Sequence, residues 1–223
     1  NFSATTDDNN GVIDMRTLKV DGTIALTTNG TGNATVVNDE GLAFAASTVR
    51  GALSATATTG NITDSGTLAI TGTTTLVTSA NEATIALDDT SNAFTGALTI
   101  TTNDDSGADA DVTIDGGTTA LVIAESIIDG DLTLIGGHAS GITDSGTVTV
   151  GGNLSATTDA NNGDIDMGTL AVTGTIALTT NDSAGDNTGH ATVVNASAIE
   201  FATSSVDGNL IATATAGNMT DSG

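Results

Sequence analysis

The sequence predicts an all-β fold, a β-solenoid in which successive coils of the chain stack on one another. Three observations support this prediction. The chain repeats itself, and a short unit of alternating apolar residues with a fixed glycine recurs along it. The composition also disfavours helices: the 223 residues include 28 Gly and no Pro, Cys, Trp or Tyr. Of the 27 acidic residues 23 are Asp, which favours turns over helix interiors.

One long repeat, residues 1–152, is followed by a partial second copy, residues 153–223. The two copies open with NFSATTDDNNGVIDMRTLKVDGTIALTT and NLSATTDANNGDIDMGTLAVTGTIALTT. Further along, the second copy contains five additional residues between Asn181 and His190. An insertion inside a strand would turn every later side chain to the opposite face, so this stretch is predicted to be a loop. We therefore expect a single continuous solenoid segment over residues 1–223.

A shorter unit lies inside the long repeat and reads apolar, any residue, Gly, any residue, apolar, any residue, apolar. Val20-Asp21-Gly22-Thr23-Ile24-Ala25-Leu26 is one example, and its glycine recurs at intervals of 21 to 34 residues. Strict alternation predicts a half-buried strand. A coil of this size cannot fold alone, because ordering about 25 residues costs more than roughly six or seven buried aliphatic side chains return. We expect coils of roughly 20–34 residues to stack through strand ladders around a continuous apolar core.

The charge of the chain excludes two classes of partner. Three Lys and Arg against 27 acidic residues give a formal net charge of -24. Such a polyanion repels phosphate, so we expect no nucleic-acid partner. No apolar run approaches the roughly 20 residues of a spanning helix, and the charge disfavours anionic lipid surfaces, so we expect no membrane insertion.

Three segments carry a family resemblance. They read GNITDSGTLAITGTTTL at residues 60–76, SNAFTGALTI at 91–100 and GITDSGTVTV at 141–150. These segments resemble the degenerate repeats of filamentous-haemagglutinin-like giant surface proteins and of autotransporter passengers of bacteria. The resemblance covers essentially the whole chain and is one of repeat style and composition. It implies a right-handed parallel β-helix within a very long secreted protein that projects from the cell.

The function implied by this resemblance is structural. The chain would be a rigid segment of an extracellular fibre or stalk on a bacterial cell surface, acting in adhesion, matrix or filament formation without catalysis. Residue 1 is not Met, and the first copy continues beyond Gly66 where the second stops at Gly223. Its partners would therefore be itself, through end-to-end stacking or continuation within a longer chain, and a host or neighbouring cell surface.

Calcium is the one cofactor that the sequence indicates. Residues 104–111, followed by Asp115, form the densest set of carboxylates, and calcium binds about 6 to 8 oxygen atoms in flexible geometry. The spacing matches neither the EF-hand loop nor the glycine-rich nonapeptide calcium repeat. A solvated acidic loop is therefore the alternative interpretation. The predicted ligands are Asp104, Asp105, Asp109, Asp111 and Asp115.

Two alternative functions remain open. The pairs Asp88-Asp89 and Asp104-Asp105 offer the two carboxylates of a β-helix polysaccharide-active enzyme. The chain lacks Tyr and Trp for sugar stacking, and all its Lys and Arg lie in the first copy, so we predict no catalytic residues. Frequent outward Thr, as in Thr147-Val148-Thr149, is typical of ice-binding or calcium-dependent binding modules, although β propensity explains Thr equally well.

The triplet Asp-Ser-Gly occurs three times and resembles the signature of aspartic proteases. That chemistry needs two carboxylates that share one proton. Because the triplet repeats with the coil, we predict a turn in which Asp accepts backbone N–H bonds. The triplets begin at Asp64, Asp144 and Asp221.

Overall fold

A computed structural model describes residues 1–103, 109–181 and 188–223. The fold is an all-β parallel β-solenoid of about nine coils with about 22 residues per coil, which confirms the predicted fold class. The described residues contain no helix at all, and thus none long and apolar enough to cross a membrane.

The strands are numbered in chain order. In the first copy up to residue 66 they are β1 (Phe2–Thr5), β2 (Ile13–Leu18), β3 (Thr23–Thr27), β4 (Ala34–Asn38), β5 (Leu42–Phe44), β6 (Ser47–Val49), β7 (Leu53–Ala57) and β8 (Ile62–Asp64). The middle of the chain contains β9 (Leu68–Ile70), β10 (Thr74–Thr78), β11 (Ile85–Leu87), β12 (Ala93–Phe94), β13 (Leu98–Thr101), β14 (Val112–Asp115), β15 (Leu121–Ile123), β16 (Ser126–Ile128), β17 (Leu132–Gly136), β18 (Ile142–Asp144) and β19 (Val148–Val150). The second copy contains β20 (Leu154–Asn161), β21 (Ile165–Val172), β22 (Thr175–Asn181), β23 (Ala191–Asn195), β24 (Ile199–Phe201), β25 (Leu210–Ala214) and β26 (Met219–Asp221).

Each coil contributes strands to two sheets, and most strands away from the two ends pair with strands one coil before and one coil after. The ladder of one sheet runs β1-β3-β5-β8-β11-β14-β17-β20-β22-β24-β26. The corresponding ladder of the other sheet runs β2-β4-β7-β10-β13-β16-β19-β21-β23-β25. The register places Leu53, Thr74 and Leu98 beside one another in three successive coils. Inward residues therefore form columns along the axis.

Alternation along the strands builds the core, as the sequence pattern predicts. In β7 the side chains of Leu53, Ala55 and Ala57 are buried, whereas Ser54 and Thr56 between them are half-buried on the outer face. Among the described residues most of the apolar core is aliphatic, and its largest side chains are Phe44 and Phe94, both completely buried. Small side chains such as Ala55 and Ala57 occupy other inward positions.

The two copies share the same pairing. Phe2 of β1 pairs with Ile24 of β3, and Leu154 of β20 pairs with Ile176 of β22. The β2–β4 and β21–β23 pairs both shift register after their methionine, Met15 or Met167. The five-residue insertion lies largely outside the described residues. The strands that flank it, β22 and β23, are the counterparts of β3 and β4.

Candidate functional site

The feature that this fold repeats most often is the contact between one coil and the next, and polar side chains extend its backbone ladder. An Asn or Asp stands directly before the first inward residue of many strands, and its Oδ1 accepts the N–H of the equivalent residue in the next coil. Asn1 accepts from Thr23 at 3.0 Å, and its counterpart Asn153 accepts from Thr175 at 2.8 Å. The same bond joins Asn33 to Ala52, Asn61 to Thr84, Asp111 to Asp131, Asp131 to Asn153 and Asp164 to His190.

These bonds explain why Asp and Asn stand at the strand starts. A backbone N–H just outside a ladder needs an acceptor when water is partly excluded, and a short side chain with a carbonyl or carboxylate oxygen reaches it. Sequence reasoning assigned the acidic residues to turns and missed this contact. The sequence signal for this contact is an Asn or Asp immediately before an alternating apolar segment. The residue that it contacts stands at the same place before the corresponding segment of the next coil.

Two further asparagines are completely buried at the ends of counterpart strands. Asn38 accepts the Val20 N–H at 2.9 Å and donates to the Val20 carbonyl at 3.0 Å. Asn195 makes the same two bonds with Val172, at 2.8 and 3.0 Å. Each amide also donates to a carbonyl three residues on, that of Gly41 or Ala198. Both asparagines therefore join adjacent coils from inside the solenoid.

The structure separates the predicted calcium ligands that it describes. Asp111 directly precedes β14 and Asp115 ends it, so their Cα atoms lie about 13 Å apart along the extended chain. Calcium ligands lie about 2.3–2.6 Å from the ion, so these two carboxylates cannot share one. Asp109 is exposed, and its N–H lies 3.4 Å from Asp129 Oδ2. Asp104 and Asp105 lie outside the described residues.

Asp115 differs from Asp109 and Asp111 because its side chain is buried, whereas theirs are exposed. Burial raises the pKa of its carboxyl group, as do the nearby charges of Asp159, Asp88 and Asp89, while the Gly117 N–H bond lowers it. That N–H donates to Asp115 Oδ1 at 2.7 Å. Within residues 1–103, 109–181 and 188–223, no group of three or more His, Asp or Glu could hold a metal ion. The calcium site, which also includes Asp104 and Asp105, stays a prediction.

The carboxylates of two Asp-Ser-Gly triplets, those of Asp64 and Asp144, serve as acceptors for neighbouring coils. Asp64 Oδ1 accepts the Asp88 N–H at 3.2 Å, and its Oδ2 accepts from Asn92 Nδ2 at 2.6 Å. Asp144 accepts the N–H groups of Gly168 and Thr169 at 3.0 and 2.7 Å. These contacts agree with the predicted structural role.

Two basic side chains of the first copy, Arg16 and Lys19, lie at its surface beside acidic ones. Arg16 Nε lies 2.6 Å from Asp14 Oδ1. Lys19 Nζ lies 3.5 Å from Asp39 Oδ2 and 3.6 Å from Glu40 Oε1. The charge of Asp39, and then that of Glu40, raises the pKa of Lys19. Both cationic side chains remain largely in solvent, so these ion pairs lie on the surface and are not part of the core or the ladders.

The last described coil has an open stacking edge. Leu210 of β25 is 44 % exposed and Met219 of β26 is 55 % exposed. Their counterparts in the first copy, Leu53 and Ile62, are 1 % and 0 % exposed because β10 and β11 cover them. In the first copy the equivalent strands, β7 and β8, are therefore covered by the next coil of the same repeat.

Ladders, stacked core columns and a repeated register define a repeat protein of the parallel β-solenoid class. The family model described as Repeats of unknown function (DUF5649) matches residues 31–101, 109–168 and 188–223, and the chain belongs to this family. No curated protein and no solved structure matches the chain. The finer resemblance to filamentous-haemagglutinin-like and autotransporter proteins stays a prediction.

Proposed function

We propose that the chain is a structural segment of an extracellular fibre or stalk on a bacterial cell surface. The observation that supports this proposal is the nine-strand ladder from β5 to β26, which runs through successive coils without a break. Its hydrogen bonds run along the solenoid axis. Bending or stretching the rod therefore requires both sheets to open together, and the segment acts as a stiff spacer.

The repeat also sets a length. Seven coil-to-coil steps lead from β1 to its counterpart β20, through β3, β5, β8, β11, β14 and β17. At about 4.8 Å per step, one 152-residue repeat adds about 34 Å to the rod. A chain with many such repeats would project an attached binding region far from the cell, which is what an adhesin stalk or a matrix filament requires.

The partners proposed for the segment follow from its edges and its charge. The stacking partner proposed for a coil is another coil of the same repeat, as β10 and β11 are for β7 and β8. A net charge of -24 keeps such rods soluble and opposes side-by-side sheet association. Contacts with a host or neighbouring cell would then fall on the loops between strands, since the ladders occupy the strands themselves.

Immunogold electron microscopy of intact producing cells tests this function. Antibodies against the folded segment should label filaments outside the cell, and protease added to intact cells should remove the label. Label that appears only after lysis would overturn the proposal. Turnover of acidic polysaccharides by the purified segment would instead favour the β-helix enzyme.

A further inference from the structure

We infer that three serines, Ser47, Ser126 and Ser204, each fix a corner of the solenoid. A corner is the bend between two short segments of one coil that both pair with a single straight strand of the coil before. This inference concerns the geometry of the coil and does not depend on the fibre function. At each point the serine hydroxyl takes the place of a backbone acceptor.

The first corner lies between β5 and β6, both of which pair with β3. Ile24 of β3 pairs with β5, and Thr27 pairs with β6. Between them, the N–H of the completely buried Leu26 donates to Ser47 Oγ at 3.0 Å. The hydroxyl in turn donates to the Ala45 carbonyl at 2.8 Å. Ser47 thus gives Leu26 an acceptor where the chain turns away from β3.

The second corner lies in the other sheet, where β13 is followed by β15 and β16. Leu98 pairs with β15 and Thr101 with β16. The buried Ile100 N–H donates to Ser126 Oγ at 3.0 Å, and this hydroxyl donates to the Ala124 carbonyl at 2.9 Å. This corner is not a copy of the first within the long repeat, so the same arrangement occurs independently.

The third corner follows β22 in the second copy. Thr175 and Ile176 pair with β24, and Thr179 forms a bridge with Ser205. The Leu178 N–H donates to Ser204 Oγ at 3.1 Å, and Ser204 donates to the Ala202 carbonyl at 2.9 Å. All three corners therefore have the same two hydroxyl bonds at the same places.

Backbone bonds on either side frame each serine in the same way. The Ala that starts the corner donates its N–H to a carbonyl of the straight strand. That carbonyl belongs to the residue two positions before the one whose N–H the serine accepts. A Thr two residues after that amide donates its N–H to the second segment. At the Ser126 corner these bonds are Ala124 to Leu98 at 2.7 Å and Thr102 to Ile127 at 3.0 Å. The serine fills the gap between them.

A sequence pattern accompanies the geometry. The straight strand reads apolar, any residue, apolar, Thr, Thr, and the corner one coil later reads Ala, any residue, Ser, any residue, apolar, any residue, Gly. The second Thr is buried in each case and accepts an N–H from the residue before that glycine, at 2.8–3.0 Å. The strand pattern occupies residues 24–28, 98–102 and 176–180, and the corner pattern occupies residues 45–51, 124–130 and 202–208.

Amide hydrogen exchange of the full chain tests the inference, with Ser126→Ala as the variant. A buried N–H that loses its acceptor should exchange at least about tenfold faster, so Ile100 should lose protection while the amides of β7 and β20 keep theirs. Ser54→Ala is the matched control, because Ser54 lies on the outer face of β7. Unchanged protection at Ile100, or an equal loss along the whole chain, would overturn the inference.

Ser204→Ala provides a second test at a corner that lies near the surface and tolerates change better. The amide to follow is Leu178, whose protection should fall by a similar factor. Ser204→Thr retains the hydroxyl, and the exposed corner has room for one methyl group, so it should restore protection. A threonine variant that behaves like the alanine variant would show that the hydroxyl bond does not hold the corner.

Discussion

The two copies of the repeat share a backbone and differ in their surface charge. Residues 1–66 and 153–223 have the same strand pairs, the same register shift and counterpart buried asparagines. Yet Arg16 and Lys19 of the first copy correspond to Gly168 and Ala171 of the second. The acidic partners of Lys19, Asp39 and Glu40, are replaced by Ala196 and Ser197 as well. Ladder and core positions therefore fix the fold, whereas charged pairs outside them vary freely.

The copies differ in a second way, in what covers their last coil. The coil of β7 and β8 lies beneath β10 and β11, whereas the counterpart coil of β25 and β26 has an open edge. The same residues are thus core in one copy and surface in the other. Comparing the two coils therefore shows how much of a side chain's contribution to the free energy of unfolding depends on the coil stacked upon it.

The largest expected difference is between Leu53→Ala and Leu210→Ala. Leu53 is 1 % exposed, so truncation should lower the free energy of unfolding by about 2–5 kcal/mol through lost burial and a cavity. Leu210 is 44 % exposed and should cost less than about 1 kcal/mol. Urea titration of both variants measures the difference.

A longer chain provides the control. Extending the second copy with a duplicate of residues 67–101 should cover β25 and raise the cost of Leu210→Ala to that of Leu53→Ala. Equal costs in the original chain, or no rise in the extended one, would contradict the equivalence of the two coils.

The next effect concerns the buried asparagines, which should be equally important in the two copies. Asn38→Ala removes the acceptor of the half-buried Val20 N–H, and Asn195→Ala removes that of the buried Val172 N–H, so each should lower the free energy of unfolding by about 1–3 kcal/mol. Exposed Asn209→Ala serves as the control and should have little effect. A large cost in only one copy would show that the counterpart hydrogen bonds are not equivalent.

A smaller, pH-dependent effect is expected for Asp115→Asn. Burial raises the pKa of Asp115 in the folded state, so the folded chain binds its proton more tightly than the unfolded chain does. Stability is therefore fully present below the unfolded pKa and falls as pH rises through the folded pKa. The amide keeps an acceptor for Gly117 and carries no charge, so the variant should melt higher than the parent at pH 7.

That advantage should disappear at about pH 3, where the parent carboxyl is itself protonated. Thermal melts of both chains across this range provide the measurement. Asp111→Asn is the matched control, since Asp111 is exposed and its ladder bond survives the change. An advantage of Asp115→Asn that persists unchanged at acid pH would contradict the assigned cause.

The smallest effect is expected for Lys19→Ala. The lysine side chain is largely in solvent, and exposed ion pairs contribute little to stability. The second copy already has Ala171 at this position, with the same β21–β23 pairing. Differential scanning calorimetry should detect no change in Tm, and a clear drop would give the Lys19 pairs a structural role.

The sequence predicts much of this fold because its information is local. Alternation around Leu53 and the fixed glycines lie within short stretches of chain, and each indicates a strand that stacks on its neighbours. The corners were not predicted, because the hydroxyl of Ser126 and the amide of Ile100 are 26 residues apart in sequence. Their contact exists only once the coils are in register.

The predicted calcium ligands show what spacing in sequence leaves open. Asp111 and Asp115 are near neighbours in sequence, and this spacing alone favours one shared site. Asp111 directly precedes the extended strand β14 and Asp115 ends it, so one joins a ladder while the other is buried. Closeness in sequence is a poor guide to shared ligands wherever a strand intervenes.

The most direct test of the stacked-repeat account is the length of an extended rod. Electron microscopy would compare the chain with a version that carries one further complete 152-residue repeat. Seven additional coils at about 4.8 Å each predict a rod longer by about 34 Å with the same width. A wider particle, an unchanged length or two separate bodies on one chain would contradict the account.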